Sequence, residues 1–175
     1  MIPREELITI LPYLTILTMF TYGFTNNGDL IAADDEELIQ LALDFGVAPV
    51  MLISTLTSAG TFSNELARTL LNSPELQSRL INNIINTMDE KGYKALDIDF
   101  EYLPVENRES YINFVAALTE ALNAKGYYTL VALAPKTSST QPGLLYESHN
   151  YLGLGRAANF ALLMTYEWGY TYNRI

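Results

Sequence analysis

Hydrophobic and polar positions in this chain switch between two periods. Five apolar runs of strand length, at residues 14–22, 47–54, 95–101, 127–134 and 160–166, are separated by segments whose apolar residues recur at helical spacing. The runs begin 33, 48, 32 and 33 residues apart, close to one strand–helix unit per step, and an extra short helix over 64–71 fills the long step. The helices have readable ends. Asp34 is placed to cap a helix over 36–45 that stops at Gly46, Ser73 and Pro74 open one that runs to Gly92, and another follows Pro104 and reaches Gly126. Between 135 and 159, Pro142, Gly143, Gly153 and Gly155 predict a long loop with at most a short helix near Tyr146. The pattern predicts an α/β fold with about five parallel strands and intervening helices, in one domain over 1–175.

The third run ends in Leu96-Asp97-Ile98-Asp99-Phe100-Glu101. Alternate residues of a strand share a face, so Asp97, Asp99 and Glu101 project one way and Leu96, Ile98 and Phe100 the other. In a parallel sheet covered on its apolar side, the acids line the opposite face and rise to Glu101 at the C-terminal end of the strand. Barrel enzymes place their catalytic groups at that end. Carboxylates about 7 Å apart along a strand resist ionising together, so one is expected to hold its proton, and a neutral carboxylic acid can protonate a leaving oxygen. Two rival readings stand beside this one. The alternation also describes a half-exposed strand with a solvated outer face, and Asp97 with Asp99 also suits a divalent metal.

Composition narrows the chemistry. With 49% apolar and 17% charged residues over 175 positions, the chain can bury a sizeable core. Ten Lys and Arg against twenty Asp and Glu give a net charge of -10, which disfavours nucleic acid and anionic membranes as partners. There is no Cys and a single His, His149, so thiol catalysis, disulfides and His clusters are excluded. No glycine-rich phosphate loop accompanies the acids, and no cofactor is expected. Arg4 is followed at once by Glu5 and Glu6, and Pro12 interrupts the apolar stretch 7–20, so no signal peptide is visible there. The stretch is also too short and threonine-rich for a membrane span.

Two separated motifs carry a family resemblance. Asp97, Asp99 and Glu101 match the D-x-D-x-E core on the fourth strand of glycoside hydrolase family 18, and Met164, Tyr166, Glu167 and Trp168 resemble its sixth-strand motif. The wider text, including Ala132-Leu133-Ala134-Pro135-Lys136-Thr137 and Gln141-Pro142-Gly143-Leu144-Leu145-Tyr146, resembles the branch that degrades spore-cortex peptidoglycan. The resemblance implies a (β/α)8 barrel and a retaining mechanism in which the substrate's own 2-acetamido oxygen attacks the anomeric carbon. Position by position, it implies that Glu101 is the proton donor, that Asp99 orients the acetamido group and that Asp97 supports Asp99. Tyr166 would bond the acetamido group, and Met164, Glu167 and Trp168 would contact the sugar. The fuller motif has Asp and Gly where this chain has Lys94 and Ala95, and Glu167 stands in the place of the usual Asp.

The resemblance also implies an incomplete catalytic domain. A full barrel has eight strand–helix units in about 250 residues, and five strands here correspond to family strands two to six. An open sheet with two free edges is expected to self-associate. The implied partner is a glycan: spore-cortex peptidoglycan in the first reading, chitin in the second. A third reading is a glycan-binding protein without catalysis. By resemblance the protein would act at the spore or cell wall.

Overall fold

The computed structural model describes residues 3–57 and 61–166. Its strands are β1 (Ile16–Phe24), β2 (Leu30–Ile31), β3 (Ala48–Ser54), β4 (Ala95–Asp99), β5 (Tyr128–Leu133) and β6 (Phe160–Leu163). They form one sheet in the order β2-β1-β3-β4-β5-β6. The five longer strands are parallel, as the spacing of the apolar runs predicts, and the two-residue β2 adds antiparallel to the end of β1. Among the described residues α1 (Arg4–Ile10) precedes β1, and five α-helices lie between strands: α2 (Glu36–Asp44), α3 (Asn64–Leu71), α4 (Pro74–Lys91), α5 (Arg108–Asn123) and α6 (Tyr151–Ala157).

One face of the sheet is closed by helices. Met51 and Ile53 of β3, Leu96 and Ile98 of β4, and Val131 and Leu133 of β5 are buried against Leu80, Ile84 and Met88 of α4 and Phe114, Val115 and Leu118 of α5. Each fully buried side chain of this size is worth roughly 1.5–3 kcal/mol, so this layer is the main source of stability. The other face is apolar at its margins but uncovered: Phe20, Tyr128 and Phe160 are each more than half exposed. Among the described residues no helix is long and apolar enough to cross a membrane.

Several helix ends follow their sequence signals. Ser73 accepts the N–H of Leu76 at the start of α4, and Gly92 closes that helix with a left-handed φ of 84°. The start of α2 differs from the expectation. Asp35, not Asp34, stands at its cap position, and its side chain makes no cap bond. Instead the buried Asp35 carboxylate accepts hydrogen bonds from the hydroxyls of Tyr22 (2.6 Å) and Tyr93 and pairs with Lys91 at 2.6 Å. Burial, with Asp35 next, pushes both tyrosine hydroxyls upward in pKa, which keeps them as donors. The network rivets β1, α2 and the end of α4.

The segment after β5 also departs from its expected form. The turns around Tyr146 fit the expected loop, but α6 begins five residues later, with Gly153 and Gly155, read as breakers, both inside it. Gly153 faces Ile112 of α5 so closely that a Cβ would collide with that side chain, whereas nothing approaches Gly155 within 4 Å. A residue read as a helix breaker is thus a close-approach residue. Gly155→Ala should raise stability by about 0.5–1 kcal/mol through helix propensity alone. Gly153→Ala should gain less or lose, because displacement of Ile112 offsets the same propensity. Urea denaturation of the two variants beside the parent checks this; equal gains would refute the close-approach reading.

Candidate active site

The site is built on the alternation of β4. Leu96, Ile98 and Phe100 are fully buried on the helical side, which turns Asp97, Asp99 and Glu101 to the opposite face. Parallel register sets Leu52 of β3 and Leu130 of β5 on either side of Asp97, and Ser54 beside Asp99. The three acids line one cleft of about 300 Å³ at the C-terminal end of the sheet, with Phe20, Phe62, Ala132, Ala134, Met164 and Tyr166 among its walls.

What lies behind the strand fixes its end. Phe100 stacks on Phe24 (5.7 Å between ring centroids), Tyr111 (5.7 Å) and Phe114 (5.9 Å). Such ring pairs are each worth about 0.5–1.5 kcal/mol beyond their burial. His149, nearly fully buried, ties the ends of two strands together. Its Nδ1 accepts the N–H of Ala134 at 2.9 Å, so Nε2 carries the proton and donates to the Phe100 carbonyl at 3.0 Å. Burial lowers the pKa of this imidazole and keeps it neutral, in keeping with its accepting role. Just past Glu101 the chain turns through Tyr102, whose φ of 56° lies in the left-handed region that few side chains other than glycine adopt. Such strain persists where surrounding contacts over-determine it, and the Tyr102 ring rests against Phe62 at 5.8 Å.

The electrostatics follow from burial. Asp97 and Asp99 are 1% and 5% exposed, and one carboxylate oxygen of each, Oδ1, has no hydrogen-bond partner among the described residues. Both carboxyls are pushed up from 3.8 to about 6. Desolvation is the first cause in each case, and the charge of Asp97 adds to it at Asp99. Mutual repulsion, the cause expected from the sequence, is therefore the smaller effect.

The residues singled out in the sequence fare differently. The structure brings Asp97, Asp99, Glu101, Met164 and Tyr166 around one cleft. Met164 is held there by a bond from its N–H to the Leu133 carbonyl (3.0 Å), and Tyr166 is 72% exposed at the rim. Glu167 and Trp168 lie outside the described residues. Lys136, which could have been a solvated rim charge, is half-buried with its ammonium 5.5 Å from the centroid of the Tyr151 ring. Sequence reasoning missed Tyr111, Tyr102 and the supporting role of His149. A lone His beside four loop breakers carries no pattern; its meaning lies in contacts 15 and 49 residues away.

An acidic cleft at the C-terminal end of a parallel sheet, with helices on the far side, is the layout of a barrel-type glycoside hydrolase. The sequence profile of glycosyl hydrolases family 18 matches residues 8–173, and the chain belongs to that family. The cortical fragment-lytic enzyme of Bacillus subtilis (strain 168) is 38% identical over 160 residues, covering 91% of this chain and 37% of that protein. The crystal structure of the spore cortex-lytic enzyme SleL of Bacillus megaterium QM B1551 superposes with a TM-score of 0.91 at 34% identity, over 97% of this chain and 40% of that one. A class V chitinase from Pseudomonas fluorescens Pf-5 gives 0.85 at 25% identity, over 93% and 50%. The chain spans about two fifths of the length of the curated cortex-lytic relatives it matches.

The raised carboxyls have a thermodynamic signature. A carboxyl whose pKa is higher folded than unfolded makes the fold bind more protons, so stability falls as pH rises from the ordinary value toward about 6 and levels off above it. Asp97→Asn should remove its share of that fall, on the order of 1–3 kcal/mol between pH 4 and pH 7. Denaturation midpoints of parent and variant across this range check the assignment; a difference independent of pH would contradict it.

Proposed function

We infer that this chain forms the acid-bearing part of a retaining glycoside hydrolase that cleaves β-1,4 bonds at N-acetylglucosamine in spore-cortex peptidoglycan. The observation that carries the reading is the projection of Asp97, Asp99 and Glu101 from one face of β4 into a single cleft, backed by a sealed apolar layer. In the first step the acetamido oxygen of the bound sugar attacks its own anomeric carbon while Glu101 gives a proton to the departing glycosidic oxygen. Asp99 turns the acetamido group inward and balances the positive oxazolinium ion, and Asp97 shares its proton with Asp99. Water then adds to the anomeric carbon as the bond to the acetamido oxygen breaks and regenerates the acetamido group, and the water yields its proton to Glu101, which restores the acid. Tyr166 donates a hydrogen bond to the acetamido group, Met164 packs under the ring, and Glu167 and Trp168 contact the sugar.

Peptidoglycan is favoured over chitin because five of the relatives at 30% identity and above are named as cortical fragment-lytic or spore cortex-lytic enzymes. The same names support action at the spore wall. The chitinase neighbour keeps chitin oligomers as a second substrate class. The uncovered apolar face and the exposed edge strand β6 support reading 1–175 as an incomplete catalytic domain, closed by further barrel strands or by a second copy.

Glu101→Gln should lower release of reducing ends from cortex fragments by roughly 100-fold to 10,000-fold, the usual worth of a positioned general acid. Unchanged turnover in that variant would overturn the assignment. Tyr166→Phe should keep the fold and cost about tenfold in kcat/KM on N-acetylated substrates, a loss on the order of one hydrogen bond to charge; full activity would remove Tyr166 from the mechanism.

A further inference from the structure

A second cavity, of about 520 Å³, opens at the same end of the sheet and differs in charge from the first. Arg108 at the start of α5, Lys136 and Thr137 just beyond β5, the hydroxyls of Ser138 and Ser139, and Tyr151 of α6 line it. The two cavities meet along the chain, for Pro135 borders the acidic cleft and Lys136, the next residue, borders this one.

Two of the protein's cations, Arg108 and Lys136, line this one cavity. In a chain of net charge -10, four of the basic residues, Arg4, Arg68, Arg79 and Lys91, are ion-paired. Arg108 and Lys136 have no carboxylate within 4.0 Å among the described residues. Both are half-buried and built in. Arg108 donates from Nε to the Glu147 carbonyl at 2.7 Å, a neutral acceptor. The Lys136 backbone N–H donates to the Tyr151 hydroxyl at 3.1 Å, and that hydroxyl donates to the Ala134 carbonyl at 2.6 Å. Burial, then the charge of Arg108, lowers the pKa of the Lys136 ammonium, while Glu147 opposes the shift. Two like charges brought near each other with only the more distant Glu147 carboxylate to offset them cost free energy that a bound anion returns.

We propose that this cavity is a carboxylate-binding subsite for the acidic substituent of the sugar next to the one held at Asp99 and Glu101. The proposal rests on the glycosidase reading above and decides its substrate class. Chitin is neutral and offers the two cations nothing, whereas a muramic acid with a free lactyl group carries a carboxylate, and one bearing a stem peptide carries the carboxylates of that peptide. Arg108 and Lys136 would then select the second kind of glycan beside a cleft that itself repels anions.

The test measures binding by calorimetry to the full chain in a Glu101→Gln background, which prevents turnover. The ligands are a chitin tetrasaccharide, a muramyl-containing tetrasaccharide with free lactyl groups, and the same glycan bearing stem peptides. The expected result is tighter binding of one or both muramyl ligands than of the chitin ligand, by a ratio that falls with added salt. Lys136→Met should cut that ratio by about fivefold to tenfold, and Lys136→Arg should keep it. Preference for the free lactyl ligand assigns the site to the lactyl carboxylate, and preference for the peptide-bearing one to the stem. A ratio of one in the parent, or one unchanged in Lys136→Met, overturns the subsite while leaving glycoside hydrolysis intact. If neither class of glycan binds and the parent releases no reducing ends from either, both readings fall. Thermal melts of each variant separate lost binding from lost folding.

Discussion

Everything at the mouth of this sheet depends on the two-residue period of β4. Three apolar side chains must be buried against the helices, and the backbone then has no choice about where the intervening acids point. A slip of one residue would drive Asp97 and Asp99 into the core formed with α4 and α5 and bring Leu96 and Ile98 into the cleft. The apolar core thus sets the direction of the chemistry, although none of its atoms touches the site. The aromatic stack on Phe100 extends this control past the end of the strand, to Glu101 two residues beyond it.

Burial does a second thing to the same strand. Asp97 and Asp99 lose hydration, with Leu52 and Leu130 in register on either flank of Asp97, and this loss favours their neutral forms more than the charge of Asp97 does at Asp99. A low-dielectric wall around two carboxyls is costly to the fold above pH 6. It also makes a developing positive charge at the sugar far more sensitive to them than it would be in water. The tension between stability and electrostatic readiness resides in this pair.

Much of this was legible in the sequence. The five parallel strands, the extra helix α3 in the long step, the caps of α4 and the common face of the three acids all follow from periodicity and local chemistry, which depend on near neighbours. The failures share the opposite property. Asp34 reads as the cap of α2, but Asp35 holds that position, and two tyrosines and a lysine from distant segments claim its oxygens. Gly153 reads as a breaker, but a neighbouring helix needs its missing side chain. The charge contrast between the two cavities was hidden for the same reason, as Arg108 and Lys136 are remote in sequence and their total is swamped by the acidic average.

The imidazole between Phe100 and Ala134 has a bearing on how this protein can change over time. It must take a proton from one main chain and give one to another across a fixed gap while carrying no charge, and few side chains meet all three demands. Lysine and arginine can only give, carboxylates when ionised can only take, and leucine would orphan two buried backbone groups at once. Drift at position 149 is therefore confined to a very narrow set, even though the residue touches no sugar, and a lineage that lost it would have to redesign the junction of two strands before it could alter the loop they share.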